Sequence, residues 1–197
     1  MDKLLLATGN PGKAREFNAL LQGIPIELVS LQEISVKLDI QEVGKTYAEN
    51  AALKALAYAR ASGLLTLGDD SGLEVAALDG APGLYSARYS PLPGATDADR
   101  RAYLLENLRN SSQPWLARFH CTVALAMPTG EVHFADGICL GEIITDERGT
   151  NGFGYDPIFL IPELGRTMAE LSMDEKNQVS HRAKAVKAII PALLSFI

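Results

Sequence analysis

Two adjacent carboxylates, Asp69 and Asp70, follow a short apolar run at 64–67 and lead into Ser71-Gly72. Carboxylates at the end of a strand can hold a divalent cation through hard oxygen atoms or accept a proton from water. In open α/β sheets that end of a strand is also where ligands collect. Side chains alternate along a strand, so Asp69 and Asp70 face opposite sides unless the chain bends, which Gly68 and Gly72 would permit. One carboxylate is then the principal actor at a single ligand. The same residues also make an Asp-Ser-Gly turn capped by its own side chains, and this stretch alone leaves both readings open.

Three further groups could do chemistry. Thr8 to Lys13 reads Thr-Gly-Asn-Pro-Gly-Lys, a glycine turn opening a helix. Amides at a helix start, with Lys13 beside them, suit an anion. A Walker A loop would need glycine at Ala7 and Ser or Thr at Ala14, so any phosphate here is held by the same physics without that motif. Lys54 sits at the edge of a helical apolar face, where a snorkelling lysine with a buried stem is the plain alternative. The loop at 149–157 carries Phe153, Tyr155 and Asp156 among glycines. Its aromatics either stack on a flat ring or belong to the core.

The elements that must position these residues alternate in type. A strand at 4–8 precedes the glycine turn and a helix to about residue 22, whose stripe is Ala14, Phe17, Leu20 and Leu21. A second strand at 26–31 and a helix at 46–62 follow, the helix carrying Tyr47, Ala51, Lys54 and Tyr58 along one stripe. The strand at 64–67 then ends at the carboxylates. Thr96 or Asp97 caps a helix to residue 110 with Tyr103, Leu104, Leu105 and Leu108 inward. Runs at 116–127 and 131–144 flank Pro128-Thr129-Gly130 as a hairpin. After a strand at 158–161, the capping box Ser172–Glu175 opens a last helix along Val179, Ala183, Val186, Ile190 and Leu193, with Lys176, His181 and Arg182 near its start.

The 197 residues are 47% hydrophobic and 21% charged, which describes one sizeable core in a single domain over 1–197. A formal charge of −6 disfavours a nucleic-acid partner, which calls for clustered Lys and Arg. The apolar run at the start is too short for a signal peptide or membrane span, so the expectation is a cytoplasmic protein without a membrane partner. Cys121 and Cys139 lack CxxC spacing and read as buried reduced thiols.

Taken in order, residues 8–13, Asp69-Asp70-Ser71-Gly72-Leu73, Gly152-Phe153-Gly154-Tyr155-Asp156-Pro157 and Ser180-His181-Arg182 resemble the Ham1 family, inosine/xanthosine triphosphate pyrophosphatases acting on non-standard purine nucleotides. Glu49-Asn50 with Lys54, Gly80-Ala81-Pro82-Gly83 and Tyr85 to Tyr89 extend the resemblance along nearly the whole chain. It implies an elongated two-lobed α/β fold around a mixed, twisted sheet flanked by helices, a homodimer, and magnesium-dependent hydrolysis to monophosphate and pyrophosphate. By the same resemblance Thr8, Gly9, Asn10, Pro11, Gly12, Lys13 and Lys54 hold phosphates. Glu42 and Asp70 hold Mg2+, and Asp70 also takes the proton of the attacking water. Ser71 contacts the nucleotide, and Phe153, Gly154, Tyr155, Asp156, Lys176, His181 and Arg182 enclose the base.

Overall fold

The structure is a computed structural model describing residues 2–34 and 36–197. Its elements are β1 (Asp2–Leu6), α1 (Pro11–Leu20), β2 (Ile26–Ser30), α2 (Tyr47–Ser62), β3 (Leu65–Val75), α3 (Asp97–Leu108), β4 (Trp115–Ala126), β5 (Val132–Ile143), β6 (Phe159–Ile161), β7 (Arg166–Thr167), α4 (Met173–Val179) and α5 (His181–Leu194). Among the described residues the strands form one seven-stranded sheet in the order β2-β1-β3-β4-β5-β6-β7. β1 runs parallel to β2 and β3, with Leu4 opposite Leu28 and Leu65, while β6 is antiparallel to β5 and β7. The sheet is therefore mixed and flanked by helices, the α/β class expected.

The chain divides into two compact units, one of residues 1–70, 121–137 and 181–197, the other of 71–120 and 138–180. The crossings at 70/71, 120/121 and 137/138 fall inside β3, β4 and β5, and that at 180/181 falls between α4 and α5. Three of these four crossings thus lie within continuous strands, where no linker could mark them.

In the first unit β1 is buried on both faces. Leu4 and Leu6 join Phe17, Leu67, Val123 and Val186, while Leu5 joins Val29 and Tyr58. Each such side chain contributes about 1.5–3 kcal/mol by leaving water. α2 starts where the Thr46 hydroxyl accepts from Glu49 N–H at 3.1 Å and ends at Gly63 in the left-handed region, φ 72°. Its face is Ala51, Ala55 and Ala59 against Ala124 and Ala126, small residues that let helix and sheet approach closely. At Gly68 a Cβ would lie 2.8 Å from Ala51 O and 3.1 Å from Ala55 Cβ, so only glycine fits there.

The second unit is built on Leu73, Val75, Leu104, Leu108, Trp115, Phe119, Ile158 and Phe159. A full capping box between Thr96 and Asp99 starts α3. Tyr103 departs from its expected inward place: it is 36% exposed and meets Tyr89 edge-on at 5.2 Å.

Two boundaries also differ from expectation. β3 does not stop at 67 but continues through both aspartates to Val75, because Leu73 and Val75 are fully buried and resume the alternation. The last helical pattern is two helices, since Ser180 adopts an extended conformation (φ −67°, ψ 154°) that caps α4 and restarts the chain as α5.

Candidate active site

The adjacent aspartates lie within β3 and not beyond its end, so their side chains go to different partners. Asp69, 1% exposed, receives Lys13 Nζ of α1 at 2.8 Å and Arg182 Nη2 of α5 at 3.4 Å on its Oδ2. Burial alone would raise its carboxyl; Lys13 above all, then Arg182 and Lys54, overcome that and hold it at about 2. Arg182, itself 1% exposed, is shared with Glu16, which is also buried, and its guanidinium lies 5.7 Å from the Phe17 ring centroid.

Asp70 has Asn50 of α2 as a partner, whose Nδ2–H donates to Asp70 Oδ2 at 2.9 Å. Its carboxyl is raised above the ordinary range, chiefly by burial; Lys54, Asn50 and Lys13 oppose this and the charge of Glu42 adds to it. Lys54 Nζ contacts Glu42 Oε1 at 2.5 Å, and its side chain is 15% exposed. Burial lowers the affinity of that amine for its proton, but Asp69, Glu42 and Asp70 more than reverse the effect. Lys54 is thus a buried-stem lysine whose amine pairs with the Glu42 carboxylate.

The helix-start amides at residues 8–13 are not left open. Asn10 caps α1, its Oδ1 accepting from Gly12 N–H at 2.8 Å and Lys13 N–H at 3.2 Å, and Thr8 Oγ1 accepts from Asn10 N–H at 3.2 Å. Gly9 and Pro11 are exposed. The turn is thus preformed, with Lys13 anchored beside it by Asp69.

The aromatic loop is described within the second unit. Lys176 Nζ donates to Asp156 Oδ2 at 2.6 Å, both residues being buried, and Phe153 N–H donates to the same oxygen at 2.9 Å. The ammonium lies 5.2 Å from the Phe153 ring centroid, within cation–π range. Gly154 is pinned on both sides, its N–H donating to Asp97 Oδ2 and its O accepting from Arg101 Nη1, each at 2.8 Å. Tyr155 is 4% exposed, packs in the core and donates its hydroxyl to Ser86 O at 2.8 Å. Burial raises that phenol. Of the two aromatics expected to stack, Tyr155 is a core residue and Phe153 the half-buried one.

Lys13, Glu42, Lys54 and Asp70 therefore gather in the first unit, as do His181 and Arg182 at the start of α5. Phe153, Gly154, Tyr155, Asp156 and Lys176 gather in the second, to which Ser71, half-buried on β3, also belongs. Arg182, which resemblance gives to the base, is placed with Glu16 and Asp69. Glu16 went unseen in the sequence, although its position three residues after Lys13 puts both on one helical face. Cys121 and Cys139 are buried thiols outside any disulfide, as read, and burial pushes the Cys121 thiol up to about 12. Among the described residues no helix is long and apolar enough to cross a membrane.

Glu42 and Asp70 carry donor chemistry of the kind that suits a magnesium ion. Both are hard oxygen donors, and the negative charge of Glu42 disfavours ionised Asp70, a repulsion that a cation relieves. Among the described residues no group of three or more His, Cys, Asp or Glu is placed to hold a metal ion by itself. Such an ion would keep positions for water and substrate oxygens, as magnesium does at phosphate-handling sites.

Comparison with known proteins identifies the family and the fold. The Ham1 family profile matches residues 4–192. The chain is 47% identical to a dITP/XTP pyrophosphatase of Desulforamulus reducens, covering 97% of this chain and 95% of the relative. With a dITP/XTP pyrophosphatase of Geobacter sulfurreducens it shares 48% identity, covering 94% of each. Among solved structures, a HAM1 protein from Coxiella burnetii superimposes with a TM-score of 0.89 at 42% identity, over 99% of this chain and 100% of that one.

Proposed function

This chain belongs to the Ham1 family, and from that premise we propose that it hydrolyses inosine, deoxyinosine and xanthosine triphosphates to the monophosphate and pyrophosphate with magnesium. It is an enzyme of the nucleoside triphosphate pyrophosphatase class. Its role is to clear non-standard purine nucleotides from the pool before they enter DNA or RNA. The observation that carries the reading is Asp70: a buried carboxylate whose proton affinity burial has raised, with Lys54 and Glu42 among the charges that act on it.

The residues divide the work. Lys13 and Lys54 bring positive charge to a polyanion, and the turn of Thr8, Gly9, Asn10, Pro11 and Gly12 orients the phosphate chain. Asp70 accepts a proton from the attacking water at a carboxylate oxygen; its raised proton affinity moves it toward the operating pH, as general-base catalysis favours. Asp69 stays ionised and fixes Lys13. A magnesium ion held by Glu42 and Asp70 would supply charge stabilisation on the phosphoryl oxygens and acidify water. Water attacks the α phosphorus and the leaving group is pyrophosphate.

At the base, the Lys176 ammonium held by Asp156 is a donor suited to the 6-oxo group of hypoxanthine or xanthine, and Phe153 supplies a ring for stacking. Adenine brings a 6-amino donor to the same place. A mismatch of this kind is rejected by roughly four orders of magnitude, because buried polar groups are left unpaired. The proposal includes a cytoplasmic homodimer, which sedimentation would test.

A product assay over inosine, xanthosine, guanosine and adenosine triphosphates, with and without magnesium, tests the reading. Pyrophosphate release from the inosine and xanthosine substrates, abolished without magnesium, is expected, with oxygen label from water found in the monophosphate. Orthophosphate as first product, or equal efficiencies with inosine and adenosine triphosphates, would overturn it.

A further inference from the structure

The side chain of Asn50 does more than face Asp70. It is 2% exposed, on the first turns of α2, and bridges two groups far apart in sequence. Gly44 N–H donates to Asn50 Oδ1 at 2.8 Å, and Asn50 Nδ2–H donates to Asp70 Oδ2 at 2.9 Å. A backbone N–H can only donate, so the amide oxygen must face Gly44 and the amine must face Asp70. A flipped amide would set donor against donor and oxygen against carboxylate, forfeiting both bonds.

Gly44 approaches α2 so closely that no side chain fits between them. A Cβ there would fall 2.6 Å from Asn50 Oδ1 and 2.7 Å from Glu49 Cβ, so the backbone lies directly on the helix. Glu42 is two residues earlier, and its carboxylate meets Lys54, four residues after Asn50 on the same face of α2. The 42–44 segment is thus tied to α2 at two points, Glu42 to Lys54 and Gly44 to Asn50. Asn50 continues the tie to Asp70.

We infer that Asn50 is a positioning residue that sets the Glu42-bearing segment against Asp70 through one buried amide, and so fixes the spacing of the two carboxylates that would hold a metal ion. The inference rests on the reading of Glu42 and Asp70 given above. A residue that orients metal-binding carboxylates without touching the metal is commonly worth ten- to a hundredfold in affinity.

The test measures Mn2+ binding to the full chain without nucleotide, by calorimetry or spin resonance, for the parent and Asn50→Ala, with circular dichroism to establish folding. Asn50→Ala is expected to weaken Mn2+ binding about tenfold or more and to speed hydrogen exchange at Gly44 N–H. A folded variant whose Mn2+ affinity stays within about twofold of the parent overturns the inference. Should Asn50→Ala fail to fold, the parent carries the test: in a Mg2+ titration the Asn50 side-chain amide and Gly44 N–H resonances should shift with one midpoint. Resonances unmoved at saturation overturn it. A parent that binds no Mn2+ overturns the metal reading and the inference together. Weakened Mn2+ binding in a protein that releases no pyrophosphate would sink the proposed activity and uphold the inference; an active parent with an unaffected variant would do the reverse.

Discussion

Replacing Asp69 by asparagine should cost stability in a way that pH can isolate. Asp69 is fully ionised in the folded protein because Lys13 at 2.8 Å and Arg182 at 3.4 Å outweigh its burial. A carboxyl held at about 2 against an ordinary 3.8 favours the charged folded form by about 2 kcal/mol. The folded value is the depressed one, so this stability is fully present above the unfolded value and is lost as pH falls through the folded value. The amide of the variant cannot titrate and would leave Lys13 and Arg182 one buried counter-charge short. Urea unfolding of parent and Asp69→Asn at neutral pH should differ by about 2 kcal/mol or somewhat more, since breaking a buried pair leaves a charge uncompensated. The difference should shrink as pH is lowered from about 4 toward about 2. A gap that is absent at neutral pH, or that persists undiminished at the acid end, would refute the assignment of Asp69 as the ionised partner of Lys13 and Arg182.

Other substitutions separate the remaining roles. Asp70→Asn should leave circular dichroism unchanged and lower the catalytic rate by about a hundredfold or more; near-normal turnover at saturating magnesium would remove Asp70 from catalysis. Lys13→Ala and Lys54→Ala should each raise KM and lower kcat for inosine triphosphate, and unchanged kinetics in both would leave the 8–13 turn as a plain connection. Tyr155→Phe should lose about 1 kcal/mol of stability through its bond to Ser86 O with no change in base preference. Phe153→Ala should weaken all purine triphosphates alike, and a selective loss of one base would show that the ring does more than stack.

How much of this was legible in the sequence depends on the range of the forces involved. Local signals carried far: Thr46 and Gly63 bound α2, Pro11 starts α1, Pro128-Thr129-Gly130 turns β4 into β5, and Ser172 with Glu175 boxes α4. The break at Ser180 was hidden because apolar residues continue at helical spacing across it, from Val179 to Ala183 and Val186. Tyr155 looked the same whether stacked on a base or packed in the core; only the partner of its hydroxyl, Ser86, 69 positions away, distinguishes them. The partners of Glu16 and Asn50 could not be read locally, since a buried polar residue on a helix is identified by what it faces. The site's partnerships are of that kind: Lys13 with Asp69, Glu16 with Arg182, Asn50 with Asp70.

The continuation of β3 through both aspartates follows from these distant partners. A strand carrying two buried charges is unfavourable by propensity, and here each charge is met by hydrogen bonds or cations from helices. Because side chains alternate along β3, Asp69 shares its face with Leu67, packed against Phe17 of α1 and Val186 of α5, while Asp70 shares its face with Gly68, pressed on α2. Adjacent identical residues thereby receive opposite shifts, one carboxyl held down by the cations around it and one pushed up by burial. The pairing register, Leu4 with Leu65 and Leu6 with Leu67, then decides which aspartate meets which helix. A slip of one residue would exchange the two aspartates and drive a side chain into Ala51 at the position that only Gly68 can occupy.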